Sequence, residues 1–395
     1  MEKQKKPQIR LKKYTKEWEQ HKLEELGIAT SGTSIESEFK EGEKYKVISI
    51  GSYSENSTYN DQGIRARSSE KTKKRILNKN DLTMILNDKT SIGRIIGRVL
   101  IIDEEDMYIY NQRTQRIEPY HDKYDATFLY EMLNAPQIRK KIYQKSQGNT
   151  QIYVNWSTIK ELEYMIPELK EQKEIGQMFK KINNLIELHE SQYKKIINLK
   201  TTLIRKMFPE KDKEIPEIRF KGYTQKWEKR KIEEIFEYER PDKYIVKSEE
   251  YSNNSKTPVL TANKTFILGY TDETNTYTKE KESILFDDFT LDTKYVDFPY
   301  MVKSSALKIL TLKNKETDDL KFNYELLKNT KFNILGHARH YISVVQPKEI
   351  YTTKKEEQEK IAEIIKKIDK LITLQENQIS KLKEVKKTLQ NKIFI

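Results

Sequence analysis

The chain repeats itself, and the repeat constrains its fold more than any other feature. Residues 7–26 (PQIRLKKYTKEWEQHKLEEL) match residues 216–235 (PEIRFKGYTQKWEKRKIEEI) at an offset of 209 residues. Residues 171–192 (EQKEIGQMFKKINNLIELHESQ) match residues 357–378 (EQEKIAEIIKKIDKLITLQENQ) at an offset of 186. Two collinear matches of this length predict two copies of one structural plan. Each copy has an opening motif, a variable body and a long polar helix.

A tryptophan in each opening motif precedes apolar residues at helical spacing. The tryptophan is Trp18 in the first copy and Trp227 in the second, and the apolar residues come after it in both. Thr15 and Thr224 lie just before them and are suited to cap a helix N-terminus. We therefore expect a short amphipathic helix in each motif, with the tryptophan as its packing anchor rather than as a platform for a base.

Two long segments, residues 168–207 and 354–393, contain no proline and repeat apolar residues every three or four positions. This heptad pattern, sustained over about four heptads, is typical of a coiled coil. The expected seam consists of Ile175, Met178, Ile182, Leu185, His189, Gln192, Ile196, Leu199 and Leu203 in the first helix. In the second helix it consists of Ile361, Ile364, Ile368, Leu371, Gln375, Gln378, Leu382, Val385 and Leu389.

Polar residues interrupt both seams at the same place, with His189 and Gln192 in one helix and Gln375 and Gln378 in the other. If the helices pair antiparallel within the chain, the two centres meet and these four residues form one layer. Buried polar groups at seam positions fix register at a cost in stability. The alternative is that they are ordinary surface residues.

The net charge of +13 is unevenly distributed along the 395 residues. Residues 1–13 carry +5, and the two helical segments 168–208 and 352–395 carry +4 each, so the long stretches between them are nearly neutral. A basic arm and two basic helices suit contact with nucleic acid, although lysine-rich helices are more often simply solvated.

Composition excludes several classes of protein. There are no cysteines, which excludes disulfides, thiolate metal sites and cysteine nucleophiles. No apolar run approaches the roughly 18 residues of a membrane span, and no apolar segment follows the basic N-terminus as it would in a secretory signal. We expect a cytoplasmic protein.

The two bodies mix short strands with helices. The pattern predicts an α+β chain with two mixed α/β domains, a pseudo-two-fold internal repeat and two long helices. The predicted boundaries are residues 1–167 for the first domain with its N-terminal arm, 168–208 for the central helix, 209–225 for the linker and second opening motif, 226–351 for the second domain and 352–395 for the C-terminal helix.

The sequence contains few motifs typical of catalytic, cofactor-binding or metal sites. The sequence has no phosphate-binding loop, dinucleotide fingerprint, HExxH or amino-methyltransferase signature. Asp288, Asp292 and Lys294 have the residue types of a metal-dependent nuclease, but their spacing is loose and a strand–turn segment with surface charges is the simpler interpretation. His337 and His340 lack a third ligand at metal spacing, so we predict no metal site and no catalytic residue.

Arginine, asparagine, glutamine and small hydroxyl residues cluster at turns in both bodies. These are the types that hydrogen-bond to base edges and phosphates, although each alone is more often a solvated loop residue. The candidate DNA-binding residues of the first body are Arg65, Arg67, Ser91, Arg94, Asn111, Gln112, Arg113, Gln115, Arg116, Asn149 and Gln151. Those of the second body are Thr261, Asn263, Lys264, Lys303, Ser304, His337 and Arg339.

The motifs together resemble those of one family, the specificity subunits of type I restriction-modification enzymes. PEIRFKGYTQKWEKRKIEEIF is similar to the segment that opens each half of those subunits, and EEQEKIAEIIKKIDKLI resembles their helical regions. The stretches SIGRIIGRV, NQRTQRI, FDDFTLDTKYVDFPY and GHARHYISVVQP resemble parts of their target-recognition domains. The segment 148–151 of the first body and the segment 336–339 of the second body are only loosely similar to each other in sequence.

The resemblance implies two target-recognition domains held by an antiparallel coiled coil, each of which binds one half of a split, asymmetric sequence in double-stranded DNA. It implies two methyltransferase subunits and restriction (motor-nuclease) subunits as partners. S-adenosylmethionine, ATP and magnesium would bind to those partners and no cofactor to this chain. The alternative is a coiled-coil architectural protein that binds DNA without methyltransferase partners, and a stand-alone nuclease is less favoured.

Overall fold

The fold was analysed in a computed structural model that describes residues 6–210, 213–252, 254–261, 265–333 and 339–395. The chain divides into two compact units. Unit 1 comprises Met1–Ser191 with Asn377–Ile395, and unit 2 comprises Gln192–Glu376. Each unit therefore holds one variable body, half of one long helix and half of the other.

Unit 1 is built on two four-stranded sheets, with orders β2-β10-β6-β8 and β4-β3-β9-β5, and on the two-stranded pairs β1-β12 and β7-β11. Its strands are β1 (Glu19–Lys22), β2 (Gly27–Ser31), β3 (Tyr45–Ile48), β4 (Arg65–Ala66), β5 (Ile76–Leu77), β6 (Leu82–Ile85), β7 (Asn87–Asp88), β8 (Val99–Ile101), β9 (Tyr108–Tyr110), β10 (Thr114–Pro119), β11 (Ile152–Tyr153) and β12 (Glu163–Ile166). Its short helices are α1 (Glu70–Lys73), α2 (Ala126–Leu133), α3 (Pro136–Tyr143) and α4 (Trp156–Ile159), and the long helix α5 (Leu169–Met207) begins in this unit.

Unit 2 repeats this plan with a four-stranded sheet of order β14-β20-β17-β18, a three-stranded sheet of order β16-β15-β19 and the pair β13-β21. Its strands are β13 (Glu228–Lys231), β14 (Phe236–Glu239), β15 (Thr257–Leu260), β16 (Ile267–Thr271), β17 (Ser283–Asp287), β18 (Thr293–Val296), β19 (Met301–Val302), β20 (Leu307–Leu312) and β21 (Glu349–Thr352). Its short helices are α6 (Ile232–Ile235) and α7 (Leu320–Asn329), and the long helix α8 (Lys355–Ile393) begins in this unit.

The same local rules build the body helix in both units. Asp125 caps α2 by accepting from Phe128 N, and Asp319 caps α7 by accepting from Phe322 N. The backbone N–H of each capping aspartate also donates to a glutamine side chain near the start of a long helix. Asp125 N donates to Gln172 and Asp319 N to Gln358, both at 2.9 Å. The internal repeat predicted from the sequence is thus confirmed down to single hydrogen bonds.

The opening motif folds differently from the prediction. Trp18 and Trp227 are buried packing anchors, as expected, and each lies against a phenylalanine of the body helix. A strand follows each tryptophan, however, because these residues pair with the last strand of the body, β1 with β12 and β13 with β21. The helix is then a single turn, Leu23–Leu26 or α6, so Thr15 and Thr224 cap no helix and that prediction was wrong.

The long helices α5 and α8 have 39 residues each and begin and end within a residue of the predicted 168–207 and 354–393. In unit 1, Phe179 stacks on Phe394 at 5.6 Å and Glu190 pairs with Lys383 at 2.7 Å. The residue further along α5 contacts the residue that comes earlier in α8, so the two helices are antiparallel there.

The halves of α5 and α8 in unit 2 are antiparallel as well. Tyr193 donates to Glu376 at 2.9 Å, and Lys200 pairs with Asp369 at 2.7 Å. The expected antiparallel pairing is therefore seen in each unit separately. None of the helices in the part of the chain described is both long and apolar enough to cross a membrane.

The seam itself is shifted from the predicted one at several positions. Leu185 and Leu199 are exposed, whereas Ile186 is buried. Leu371, Gln378 and Val385 of α8 are likewise exposed, and their neighbours Ile372, Ile379 and Lys386 are less so. A straight α-helix has 3.6 residues per turn, so a strict seven-residue pattern drifts around it.

The drift also affects the predicted polar layer. Gln192 and Gln378 are exposed, and only His189 and Gln375 are half-buried. The prediction of a buried four-residue layer was wrong for the two exposed glutamines, which water can solvate.

Candidate nucleic-acid interface

A loop of unit 1, residues 88–98, connects the region of β6 to β8 and is held in a fixed shape. Asp88 is buried, and its carboxylate accepts from Thr90 N and Thr90 Oγ1 at 2.9 Å and from Ile95 N at 2.8 Å. Gly93 has a φ of +69°, and a Cβ there would meet the Tyr143 ring at 2.4 Å. Only glycine fits this backbone and this close approach.

Two half-buried arginines support the base of the loop. Arg139 Nη2 donates to the carbonyl oxygens of Arg94 and Ile96, each at 3.0 Å. Arg98 donates to Arg94 O at 3.3 Å and to Ser57 Oγ at 2.9 Å. Burial lowers the pKa of Arg98, and it lowers the pKa of Arg139 to about 10. Both donate to neutral oxygens, and the buried Asp88 carboxylate lies in the same loop.

The segment before β11 lies beside this loop. In the β7–β11 pair, Asp88 faces Ile152, so the residues that leave β7 and those that enter β11 meet at one end. The segment of Ser91 and Arg94 and the segment of Asn149 and Gln151 therefore leave this pair at the same end, and all four residues are exposed. These predicted residues form one surface, which we call surface 1.

Unit 2 has a counterpart at the turn between β17 and β18, where Phe289 is exposed. The Arg339 guanidinium lies 5.8 Å from the centre of the Phe289 ring. Asp288 fixes the turn, because it accepts from Tyr341 N at 2.8 Å and pairs with buried Lys308 at 3.2 Å. Arg339 and Tyr341, which follow the body helix in the chain, thus contact the turn between β17 and β18. We call the exposed side chains here surface 2.

Other predicted residues follow parallel strand pairs. In unit 2, β15 and β19 are parallel, so Thr261 and the neighbours Lys303 and Ser304 lie at one edge of the sheet. Lys303 Nζ is 3.0 Å from Glu249. In unit 1, β3 and β9 are parallel, and the three residues after β9 occupy the corresponding edge: Asn111, Gln112 and Arg113.

Some predicted residues use their polar groups inside the protein. Asn111 is buried, and its Oδ1 accepts from Ile35 N at 3.1 Å. Gln115 is buried and accepts from Ser31 Oγ at 2.8 Å, and Arg116 pairs with buried Asp81 at 2.8 Å. These three side chains hold the sheets together, and we leave them out of the proposed interface.

Three candidate arginines of unit 1 have acidic partners near the surface, and one of them, Arg94 of surface 1, donates to Glu55 at 2.9 Å. Arg65 forms two hydrogen bonds with Asp61, at 2.8 and 2.7 Å, and these hydrogen bonds lower the pKa of Asp61 to about 2. Arg67 Nε donates to Glu38 at 3.0 Å. Contact of any of these three arginines with DNA would compete with its carboxylate. Three other candidates, Asn263, Lys264 and His337, lie outside the described residues.

Sequence reasoning missed the residues that shape surface 1: Asp88, Ile92, Arg98, Arg139 and Tyr143. Polar residues at turns were taken as the signal for an interface, so the exposed isoleucine and the two half-buried arginines were not among the candidates. The two glycines of SIGRIIGRV, which both have positive φ, were the available sign of a constrained loop.

The possible nuclease residues have internal partners. Asp288 is buried against Lys308, as described above, and Asp292 pairs with Lys294 at 3.0 Å. In the described parts of the chain, no group of three or more histidine and acidic side chains is arranged to hold a metal ion. The contacts give Asp288 a structural role in the turn.

The long helices carry a second, apolar set of exposed residues that matches between the copies at the offset of 186. Leu185 and Leu188 in unit 1 correspond to Leu371 and Leu374 in unit 2. The four side chains are between 45 and 52 % exposed. Exposed leucines at matching positions of both copies suit a protein that presents the same docking surface twice.

The family of the chain follows from comparison with known proteins. The model of the type I restriction modification DNA specificity domain matches residues 15–198 and again residues 224–384. The chain belongs to this family. Its membership confirms the resemblance seen in the opening motifs, and the two matched ranges coincide with the two copies of the repeat.

Individual relatives support the same assignment. The chain is 40% identical over 149 residues to a type I restriction enzyme EcoR124I/EcoR124II specificity subunit of Escherichia coli, covering 36% of this chain and 37% of that protein. It is 31% identical over 135 residues to the MjaVIII specificity subunit of Methanocaldococcus jannaschii, covering 32% and 31%. These matches span about a third of each relative.

The fold is similar to that of a solved protein over nearly its whole length. The type I restriction-modification S subunit from M. genitalium superposes with a TM-score of 0.70, covering 99% of both chains at 17% identity. The predicted fold class, two mixed domains with two long helices in an internal repeat, is thus confirmed.

Proposed function

We propose that this chain is the DNA-specificity subunit of a type I restriction-modification complex and contributes no catalytic residue. One observation carries the proposal: both copies of the specificity-domain plan present a fixed loop surface at the same place in the fold, with different residues. Surface 1 offers Ser91, Arg94, Asn149 and Gln151, whereas surface 2 offers Phe289 and Arg339. Two surfaces that differ in sequence on two similar scaffolds are suited to bind two different DNA half-sites.

Each surface combines side chains that can recognise DNA bases with side chains that can bind the DNA phosphate backbone. Amide and guanidinium side chains can bond to base edges in the major groove, and cationic groups attract phosphates. The target is therefore split and asymmetric, with one half bound by each unit and a spacing set by the long helices, each about 58 Å long at 1.5 Å per residue.

The matched exposed leucines on α5 and α8 are the proposed docking sites for two methyltransferase subunits. Burial of such side chains contributes about 25 cal/mol per Å² of apolar surface, and two equivalent sites bind two copies. Restriction subunits join this assembly. S-adenosylmethionine, ATP and magnesium bind to the partners, and the complex works in the cytoplasm, where the DNA is.

Methylome sequencing tests the proposal in cells with and without the gene for this chain. We expect one split methylated sequence to disappear when the chain is absent and to return when it is supplied. An unchanged methylome, in cells whose methyltransferase partner is expressed, would overturn the proposal. An architectural DNA-binding protein would bring about no such change and would purify without a methyltransferase.

A further inference from the structure

Ile92 has the most exposed large hydrophobic side chain in the described residues, at 63 %. It lies at the tip of the loop 88–98, in the run Lys89–Ile92, where all four residues are exposed. A side chain so far from the core contributes little to folding. Its position instead determines what the tip of surface 1 presents to a partner.

The loop holds Ile92 in place from both sides. The Asp88 carboxylate bonds to the backbone at residues 90 and 95, which bracket the tip, and Arg139 bonds to the carbonyl oxygen of Arg94. Gly93, directly after Ile92, is fixed against the Tyr143 ring. The isoleucine is thus presented by a rigid loop, and little conformational entropy is lost when it is buried against a ligand.

The surroundings of Ile92 are mostly polar, although the exposed Tyr143 ring lies beside Gly93 and Arg94 is paired with Glu55. Lys89, Ser91 and Arg94 flank it along the loop, and Gln151 approaches from the neighbouring segment. Ile92, even with this one ring near it, does not form the contiguous apolar patch that a protein partner needs. It does match the edge of a base pair that carries one apolar group among polar ones.

In the major groove of DNA, that apolar group is the C5-methyl of thymine. We propose that Ile92 is a specificity-determining residue that recognises one thymine of the first half-site by packing on its methyl group. The inference rests on the proposed function and adds the base that this unit selects. Burial of one methyl-sized group corresponds to a change in affinity of about fourfold.

The test uses the full-length chain in complex with its methyltransferase and duplexes of the methylated target, in which each thymine in turn is replaced by uracil. This replacement removes only the methyl group. We expect the native complex to lose about fourfold in affinity at one position of one half-site. Ile92→Ala should bind the thymine duplex about fourfold more weakly and should be indifferent to uracil at that position.

Ile28→Ala is the matched control. Ile28 is also exposed, at 53 %, but lies on β2, the edge of the four-stranded sheet opposite β8. This variant should keep the native response to uracil. Equal affinity of the native complex for all the uracil duplexes, or an unchanged uracil response in Ile92→Ala, would overturn the inference while sequence-specific binding persists. Loss of preference for the target over a scrambled duplex in the native complex would overturn the proposed function as well.

Discussion

Glu131 on α2 and Lys386 on α8 form an ion pair of 3.1 Å in which the carboxylate is fully buried. Asn183 of α5 donates to the same carboxylate at 2.7 Å and Gln390 of α8 at 2.9 Å. One buried glutamate of the body therefore connects to both long helices in unit 1. In unit 2, Glu325 on α7 occupies the corresponding position.

Replacement of this glutamate should destabilise unit 1. Glu131→Ala leaves Lys386 and two amides without their acceptor, which we expect to lower the free energy of unfolding by about 3 kcal/mol. Urea denaturation followed by circular dichroism measures the change. Glu384→Ala, on the exposed side of α8, should have almost no effect. Equal midpoints for the two variants would refute a role for the buried network.

The opening motifs should depend on arginine and not merely on positive charge. Arg10 donates to both oxygens of buried Glu171, at 2.8 and 2.7 Å, and Arg219 does the same with buried Glu357, at 2.7 and 2.8 Å. A lysine keeps the charge but cannot form the two-pronged contact. We expect each Arg→Lys variant to lose about 1–2 kcal/mol of stability.

Hydrogen exchange locates that effect within the chain. Arg10→Lys should speed amide exchange in β1 and leave β13 unchanged, and Arg219→Lys should do the reverse. Exchange that is accelerated equally in both strands by either variant would show that the motifs do not act on their own units.

Acid should weaken unit 2 through Asp369. Burial acts to raise the pKa of this carboxyl group, but hydrogen bonds from Lys200 and Lys321 outweigh it and leave the pKa below its ordinary value. A carboxyl group with a lowered pKa in the folded state stabilises the fold above the unfolded pKa, about 3.9, and loses that contribution as the pH falls through the folded pKa.

We therefore expect Asp369→Asn to be less stable than the native protein by about 1 kcal/mol at pH 7, and the difference to shrink below about pH 4. Unfolding free energies measured from pH 7 to pH 3 test this. Asp122→Asn, at an exposed turn, should show no such convergence. A stability difference that stays constant over this range would contradict the role given to Asp369.

The matched leucines should control the stoichiometry of the complex. Glutamate at positions 185 and 188 places charges on one proposed docking site and leaves its counterpart, Leu371 and Leu374, intact. We expect the double variant Leu185→Glu, Leu188→Glu to retain one methyltransferase subunit instead of two, as counted by native mass spectrometry. Leu185→Met with Leu188→Met should retain two. A Glu variant that still binds two subunits would place the docking site elsewhere.

The architecture could be predicted because its signals are repetitive. The offset matches identified two copies, and the proline-free heptads gave both long helices to within a residue of their ends. The seam was less predictable, because whether Leu185 or Ile186 faces the partner helix depends on a rotation of one residue that the strict heptad does not resolve. The opening motif was mistaken for a helix, because its β-pairing partner lies more than a hundred residues away.

The interface was only partly accessible from sequence. Residue type drew attention to Ser91 and Arg94, which stay predictions, and the β7–β11 pair joins their loop to the segment of Asn149 and Gln151. The same types gave Gln115, which is buried in the sheet core. A glutamine that bonds inside the fold and one that faces solvent look alike in a sequence, and only tertiary contacts distinguish them.

The central claim is that each unit independently specifies half of one DNA target, and a domain exchange tests it most directly. Residues 236–351 are replaced by the corresponding body of another family member with a different target, and the methylome of the cells is sequenced. The account predicts a split methylated sequence in which one half is new and the other half is unchanged. A change in both halves, or in neither, would contradict it.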